Sequence, residues 1–174
     1  TSLSAEWQVR MPAEVFRPRH VIAVANGLRD SPPLLERLQK GEQLGIVKYL
    51  RECTGINDRV LIGWFAPDIY FFAQRGFAGG AVTFFGQHWS EPRFQARSVE
   101  MLASQSAPVV ILLNGDKLFP QSYPLVMQYL NEHYENLGAT NFDDARNGSG
   151  RYSLLVRRDR RAERVHPATG LPCF

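Results

Sequence analysis

The side chains that could do chemistry in this sequence follow three apolar runs, each of which predicts a buried strand. Carboxylates and an imidazole are the groups that bind divalent cations or act as general acid and base. A tryptophan and a lysine beside them could contact a ligand. These residues are Asp68 after the run at residues 60–64, His88 and Trp89 after residues 81–85, and Asp116 and Lys117 after residues 109–113.

In an open parallel sheet, ligands bind outside the carboxyl ends of the strands, so these side chains are expected at one edge. Three interpretations stay open: a cation or acid–base site, a noncatalytic ligand groove, and purely structural roles. Asp68 lies in the first turn of a predicted helix, where a carboxylate complements the helix dipole. Asp116 belongs to an Asn-Gly-Asp turn, and no second histidine lies at ligand spacing from His88. The sequence therefore assigns no catalytic residue, no metal and no cofactor.

The elements that must position these side chains alternate between strand and helix. Three predicted strands, residues 60–64, 81–85 and 109–113, are apolar throughout, which is typical of a parallel sheet covered on both faces. We therefore expect an α/β fold, a three-layer Rossmann-like domain with a mostly parallel sheet. Helices are predicted from Ser31 onwards, at residues 44–53, 67–74 and 91–102, and from Pro120 to Gly138.

The sheet is expected to end in a C-terminal antiparallel hairpin. Residues 139–142 and 152–156 have strand patterns, and an Asn-Gly-Ser-Gly turn at residues 147–150 connects them. A short glycine-rich connection is typical of two antiparallel strands. The single α/β domain is accordingly expected to span residues 31–156.

Length and composition fit one globular domain and exclude several classes of protein. The chain has 174 residues, of which 44% are hydrophobic, 21% charged and 11% aromatic. These fractions are unlike those of disordered, collagen-like or coiled-coil chains. The longest apolar run, residues 109–113, is far shorter than the roughly 20 residues of a membrane-spanning helix. We therefore expect neither a transmembrane segment nor a signal peptide within the chain.

A cluster of arginines near the C-terminus accounts for the net charge of +3. Five arginines lie between Arg157 and Arg164, offset by Asp159 and Glu163. We expect residues 157–174 to form a basic C-terminal tail, either solvated or in contact with anionic lipid headgroups or a partner. Nucleic-acid binding is not expected, because such proteins usually carry a wider basic stripe with interleaved aromatic residues.

Sequence motifs of common enzyme and metal sites are missing. The chain has no glycine pattern of dinucleotide-binding folds, no phosphate-binding loop, no nucleophile elbow and no zinc-protease helix. Its two cysteines, Cys53 and Cys173, permit one disulfide without arguing for it, and their spacing does not indicate zinc. Whether the chain is itself an enzyme stays open at this point.

Residues 44–113 contain a helix–turn–strand–helix unit with a distinctive aromatic and polar pattern. After its first helix, the defining residues are Trp64, Pro67, Asp68, Tyr70 and Arg75. The unit resembles the soluble C-terminal domain of bacterial polytopic glycosyltransferases that use lipid-phosphate-linked sugars, the dolichyl-phosphate-mannose protein mannosyltransferase-like class. In that class a strand followed by such a helix comes after the last membrane helix.

The resemblance implies a noncatalytic domain at the periplasmic face of the bacterial inner membrane, within a larger membrane protein. Such a domain would assist recognition of the acceptor or of the lipid-linked sugar, or stabilise the parent enzyme, whose catalytic carboxylates lie between membrane helices. Residues 1–30 would then be a juxtamembrane lead-in, whereas residues 157–174 have no counterpart in the family pattern. The expected partners are the rest of the membrane protein and a lipid-linked sugar or anionic lipid.

Two other hypotheses remain beside this one. The first is a free-standing small α/β enzyme or ligand-binding domain with its site at the carboxyl edge of the strands. The second is an interaction module that acts through the basic tail. Taken together, the resemblance and the first hypothesis give seven candidate ligand-binding residues: Trp64, Asp68, Tyr70, His88, Trp89, Asp116 and Lys117.

Overall fold

The computed structural model describes residues 42–142 and 151–174, and in them five helices and seven strands. The expected lead-in at residues 1–30, the helix from Ser31 and the turn at residues 147–150 lie outside the described residues. No described helix is long and apolar enough to cross a membrane. The helices are α1 (Glu42–Cys53), α2 (Pro67–Ala73), α3 (Pro92–Ser104), α4 (Leu118–Ser122) and α5 (Pro124–His133). The strands are β1 (Arg59–Ile62), β2 (Gly76–Phe77), β3 (Val109–Leu113), β4 (Tyr134–Thr140), β5 (Tyr152–Arg157), β6 (Arg164–Val165) and β7 (Pro172–Cys173).

Five strands form one mixed sheet in the order β2-β1-β3-β5-β4. Strand β1 pairs in parallel with both β2 and β3, whereas β5 is antiparallel to β3 and β4. Four of these five strands therefore point the same way, and the expected mostly parallel sheet in an α/β fold is confirmed. The expected antiparallel pairing is confirmed by β4 and β5, while β6 and β7 form a separate small antiparallel sheet.

Successive side chains of β1 enter two different core clusters, because side chains alternate between the faces of a sheet. Val60 and Ile62 belong to a cluster that includes side chains of α1 and α2. Leu61, between them, belongs to a second cluster that includes side chains of α3 and α5. All three residues are fully buried. Burial on both faces explains why these three residues are all apolar.

The prediction of a strand at residues 81–85 is wrong, since the chain forms a loop there. The strand beside β1 is instead β2, where Gly76 pairs with Arg59. Residues 81–85 are apolar for another reason: Phe84 is only 4% exposed and packs into the second core cluster. The apolar run here therefore belongs to a loop that places one side chain in the core, and the glycine-rich segment before it supplies the strand.

The helix expected from Pro120 to Gly138 is also interrupted. The chain forms two short helices, α4 and α5, with a break at Tyr123 before the proline that begins α5. A residue before proline is biased away from helical geometry, which explains the break. After α5 the chain continues directly as β4, whose first residue, Tyr134, donates its hydroxyl to the Ala107 carbonyl at 2.8 Å.

Residues 157–174, expected as a basic tail, return to the body of the protein. Cys173 in β7 forms a disulfide with Cys53 at the end of α1. Tyr49 of α1 donates its hydroxyl to the Pro172 carbonyl at 2.7 Å. The charged residues at 158–164 are exposed, as in a tail, but the chain after them is fixed to α1.

Candidate ligand-binding site

A cleft of about 240 Å³ opens at the carboxyl ends of β1 and β3. After β1 the chain continues to β2, which pairs on one side of β1. It then crosses to β3, which pairs on the other side of β1. The connections therefore change direction between β1 and β3. Ligands of open α/β sheets bind at such points. The lining of the cleft includes Gly63, Trp64, Phe84, Phe85, Asp116 and Phe119.

Trp64 forms one wall of the cleft, directly after β1. Its indole stacks on Tyr152 of β5, with ring centroids 5.3 Å apart and an interplanar angle of 27°. The residue before it must be small, because a Cβ atom on Gly63 would lie 2.4 Å from the Leu112 Cδ2 atom. Glycine thus lets the chain pass close to β3 and turn into the cleft wall.

The opposite wall is a group of interlocked aromatic rings. Phe84 packs against Phe119 and Tyr123, with centroid distances of 5.7 and 5.1 Å. The Tyr123 hydroxyl donates a hydrogen bond of 2.6 Å to the His88 carbonyl. Edge-to-face aromatic contacts and this hydrogen bond fix the wall before any ligand arrives.

Large apolar side chains surround the mouth of the cleft. Phe65, Phe85 and Leu118 are 62%, 54% and 65% exposed, and Phe65 meets Phe85 in a T-shaped contact at 5.9 Å. Exposed apolar groups that adjoin one cleft are typical of a binding surface. The cleft is therefore suited to a ligand with an apolar face.

Asp116 supplies the carboxylate of the cleft. Its Oδ1 atom accepts the Leu118 N–H at 2.8 Å, and its Oδ2 atom accepts the Phe119 N–H at 3.3 Å. These bonds begin α4 and fix the orientation of the carboxylate. Each oxygen keeps further acceptor capacity, so the group can also accept a hydrogen bond from a ligand hydroxyl.

Of the other candidates predicted from the sequence, Asp68 and Tyr70 lie on α2. Asp68 is half-buried in the first turn of that helix. Tyr70 is 5% exposed, and its hydroxyl accepts the Ile62 N–H at 2.9 Å. Burial raises the pKa of Tyr70 above its ordinary value, so the phenol stays neutral. Tyr70 thereby fixes the end of β1 from within the core.

The remaining three candidates are exposed and do not meet at one point. The His88 ring lies against Phe85 with a centroid distance of 6.2 Å, and Lys117 is the neighbour of Asp116 in the chain. Trp89 lines a different groove. In the part of the chain that the structure describes, no three His, Cys, Asp or Glu residues form a group that could hold a metal. The cleft thus brings together two of the seven candidates, Trp64 and Asp116.

Arg75, part of the aromatic and polar sequence pattern, is a structural residue. It is 9% exposed and donates hydrogen bonds to the Arg51 carbonyl at 3.0 Å and the Thr54 carbonyl at 2.7 Å. Burial lowers the pKa of this guanidinium, with an opposing contribution from Asp58. The side chain caps the C-terminal carbonyls of α1, where a cation also complements the helix dipole.

Sequence reasoning missed the aromatic residues that shape the cleft. Phe84 and Phe85 lie in the run taken for a strand, and Phe65 and Phe119 follow predicted strands without any polar signal. Only Phe65 directly follows an apolar run, which was the available clue for it. Comparison with known proteins supplies no further residues, because no family model, no curated protein and no solved structure matches the chain.

Proposed function

We propose that this chain is a noncatalytic domain of a membrane glycosyltransferase that uses a lipid-phosphate-linked sugar, and that its cleft recognises a sugar unit of the substrate or acceptor. The observation that carries the proposal is the cleft, where aromatic walls meet one fixed carboxylate at the carboxyl edge of the sheet. Apart from this cleft, the proposal rests on the resemblance carried by Trp64, Pro67, Asp68, Tyr70 and Arg75.

A pyranose ring has the chemistry that this cleft favours. Its C–H groups carry partial positive charge and pack against the negative face of an aromatic ring such as Trp64. Its hydroxyls donate hydrogen bonds, which the Asp116 carboxylate accepts more strongly than a neutral group would. A phosphate in the same position would be repelled by this carboxylate. The sugar, and not its phosphate, is therefore the part placed in the cleft.

The disulfide supports a periplasmic location. Disulfides persist in oxidising compartments such as the bacterial periplasm and are rare in the cytosol. Cys53 and Cys173 are both buried, and they join α1 to β7 across a separation of 120 residues.

We further infer that the fold is a three-layer Rossmann-like domain. Two core clusters support this inference, one with side chains of α1 and α2 and the other with side chains of α3 and α5. The change of direction between β1 and β3 also supports it, because Rossmann-like sheets bind their ligands there.

The test is a titration of this chain with methyl glycosides of mannose, glucose, galactose and arabinose, followed by NMR of the tryptophan indole N–H groups. We expect one glycoside to give a saturable shift of the Trp64 signal. Trp64→Ala and Asp116→Asn should each weaken binding about tenfold, equivalent to about 1.4 kcal/mol, as measured by calorimetric titration because the first variant lacks the reporter indole. Trp89→Phe is the matched control and should bind as the wild type does. A Trp64 signal that none of the four glycosides moves would rule out the sugar site.

A further inference from the structure

A second groove, of about 450 Å³, lies between β2 and α3, and no described residue lines both this groove and the cleft. Most of its lining is apolar. Phe77, Val82 and Trp89 are 38%, 42% and 58% exposed along it, and Phe94 and Met101 complete this apolar surface. An apolar surface of this kind, open to solvent, is typical of a ligand site.

The backbone around Trp89 is held in an unusual conformation that presents the indole to this groove. Trp89 has a φ of 58° and Gln87 a φ of 53°, a region that residues other than glycine rarely adopt. The hydrogen bond from Tyr123 to the His88 carbonyl, at 2.6 Å, holds the loop between them. Phe94 supports the indole in a T-shaped contact at 4.9 Å. Strained residues held in this way cluster at ligand sites.

Two glycines line another side of the groove. Gly79 and Gly80 have φ values of 71° and 73°, which favour glycine. A Cβ atom on Gly80 would lie 2.4 Å from the Met101 Sδ atom, so glycine lets the Met101 side chain pack against the backbone there. This side of the groove therefore needs glycine both for its backbone conformation and for its close contact with Met101.

Among the described residues that line this apolar groove, Arg97 is the one cation, and it lies next to Ser98. Arg97 is exposed, and the ion pairs among residues 42–142 and 151–174 do not include it. Arg93, one turn earlier on α3, instead lies over the Phe94 ring at 4.7 Å. The Arg97 guanidinium therefore has N–H donors available for a ligand. Guanidinium groups bind phosphates and carboxylates in bidentate geometry.

We propose that this groove binds a single-chain anionic lipid. Its chain lies along Phe77, Val82 and Met101 against the Trp89 indole, and its headgroup contacts Arg97. A fatty acid and a lipid monophosphate share this chemistry. The groove differs from the cleft in charge, since the cleft carries the Asp116 carboxylate. The proposal does not depend on the sugar site or on the identity of a parent enzyme.

The test is calorimetric titration of the whole chain with dodecyl phosphate and with laurate, each below its critical micelle concentration. Dodecyl maltoside and dodecyltrimethylammonium are the neutral and cationic comparisons with the same chain length. We expect at least one anion to bind and both comparisons to bind at least about tenfold more weakly, a difference of about 1.4 kcal/mol. Binding of dodecyl phosphate alone identifies a lipid phosphate as the ligand, and binding of laurate alone identifies a fatty acid.

Variants separate this groove from the rest of the protein. Arg97→Gln should weaken binding of the anionic lipid about tenfold, because it removes the contact to the headgroup. Trp89→Ala should weaken binding to a similar degree, because it removes a contact to the alkyl chain of the lipid. Arg161→Gln, an exposed arginine outside the groove, should have no effect, and Trp64→Ala should keep lipid binding although its sugar binding is weakened. Equal binding of the maltoside, unchanged binding by folded Arg97→Gln, or no binding of either anion would overturn the proposal.

Discussion

Single side chains near β1 divide into those that hold the fold and those that face the cleft. Tyr70 and Arg75 are buried and hydrogen-bonded to backbone groups, whereas Trp64 is half-buried and lines the cleft. All three belong to one sequence pattern, yet they act on different properties of the protein. Substitutions at the first two should change stability, and substitution of Trp64 should change binding.

The Tyr70 hydroxyl is expected to contribute to stability through a single backbone hydrogen bond. Tyr70→Phe removes the acceptor for the buried Ile62 N–H, and a buried donor without a partner costs about 1–3 kcal/mol. We expect the free energy of unfolding, measured by urea denaturation, to fall by that amount. Binding of the methyl glycosides should not change. An unaltered urea midpoint would show that this hydrogen bond does not hold the end of β1.

Arg75→Lys is expected to destabilise the protein although it preserves the positive charge. An ammonium group cannot reproduce the planar fork that reaches the Arg51 and Thr54 carbonyls together. Hydrogen bonds of charged groups contribute about 1.5–3 kcal/mol each, so we expect a loss of at least about 2 kcal/mol in urea denaturation. Arg51→Lys, with a less buried side chain, is the matched control and should lose much less. Equal losses in the two variants would contradict the capping role of Arg75.

Among the elements, the hairpin of β6 and β7 is fixed to α1 by several contacts besides the disulfide. His166 lies 3.1 Å from the Glu52 carboxylate, and the Phe174 N–H donates to the Cys53 carbonyl at 2.8 Å. Arg164 also donates to the Glu52 carbonyl. These contacts explain why a segment with so many exposed charges does not behave structurally as a tail.

Removal of the disulfide tests the connection between these elements. Cys53→Ser is expected to lower the free energy of unfolding by about 2–4 kcal/mol, because the cross-link closes a long loop in the unfolded chain. Cys173→Ser and the double variant should lose the same amount, since all three lack one and the same bond. Urea denaturation measures the three values. A double variant much less stable than either single variant would mean that each thiol makes a separate contribution.

The sequence predicts β1, β3 and β5 well because each is a short apolar run buried by the sheet's two core clusters. It does not predict β2, because two residues with one glycine carry no strand pattern, and their pairing depends on β1. Residues 81–85 show the opposite error, a strand pattern without a strand. The segment is apolar although it is a loop, and its Phe84 side chain enters the core. In these segments the local apolar pattern indicates only that a side chain is buried, whereas strand pairing is a property of the tertiary structure.

The candidate site is predicted from the sequence only in part. Asp116 is found because it follows an apolar strand, and Trp64 is found through the sequence pattern that carries the resemblance. Their meeting in one cleft depends on β1 and β3 being neighbours, which the order of strands in the sequence does not state. The phenylalanines at the mouth of the cleft have no signal that separates them from core residues.

At the scale of the whole molecule, buried tyrosines make stability depend on alkaline pH. Burial raises the pKa of Tyr49 and Tyr70 above the ordinary value near 10, and it raises the pKa of Tyr134 to about 12. Above pH of about 10 the unfolded chain loses protons that the folded chain keeps. The stabilisation is therefore complete below that pH and is lost as the pH rises through the folded-state values.

We expect the free energy of unfolding to fall by up to about 1.4 kcal/mol per pH unit for each of these tyrosines above pH of about 10. Urea denaturation at a series of alkaline pH values gives the slope. Tyr49→Phe removes one ionising group and should make the slope shallower. A slope that is unchanged in this variant would mean that Tyr49 ionises equally in the folded and unfolded states.

The measurement that tests the proposed function most directly is to read the gene immediately upstream of the codon for Thr1. A domain of a membrane glycosyltransferase should be preceded by several apolar segments of about 20 residues each, the length of a membrane-spanning helix. We expect that result. A start codon or a secretion signal directly before Thr1 would contradict it and would leave the cleft of Trp64 and Asp116 as the site of a free-standing protein.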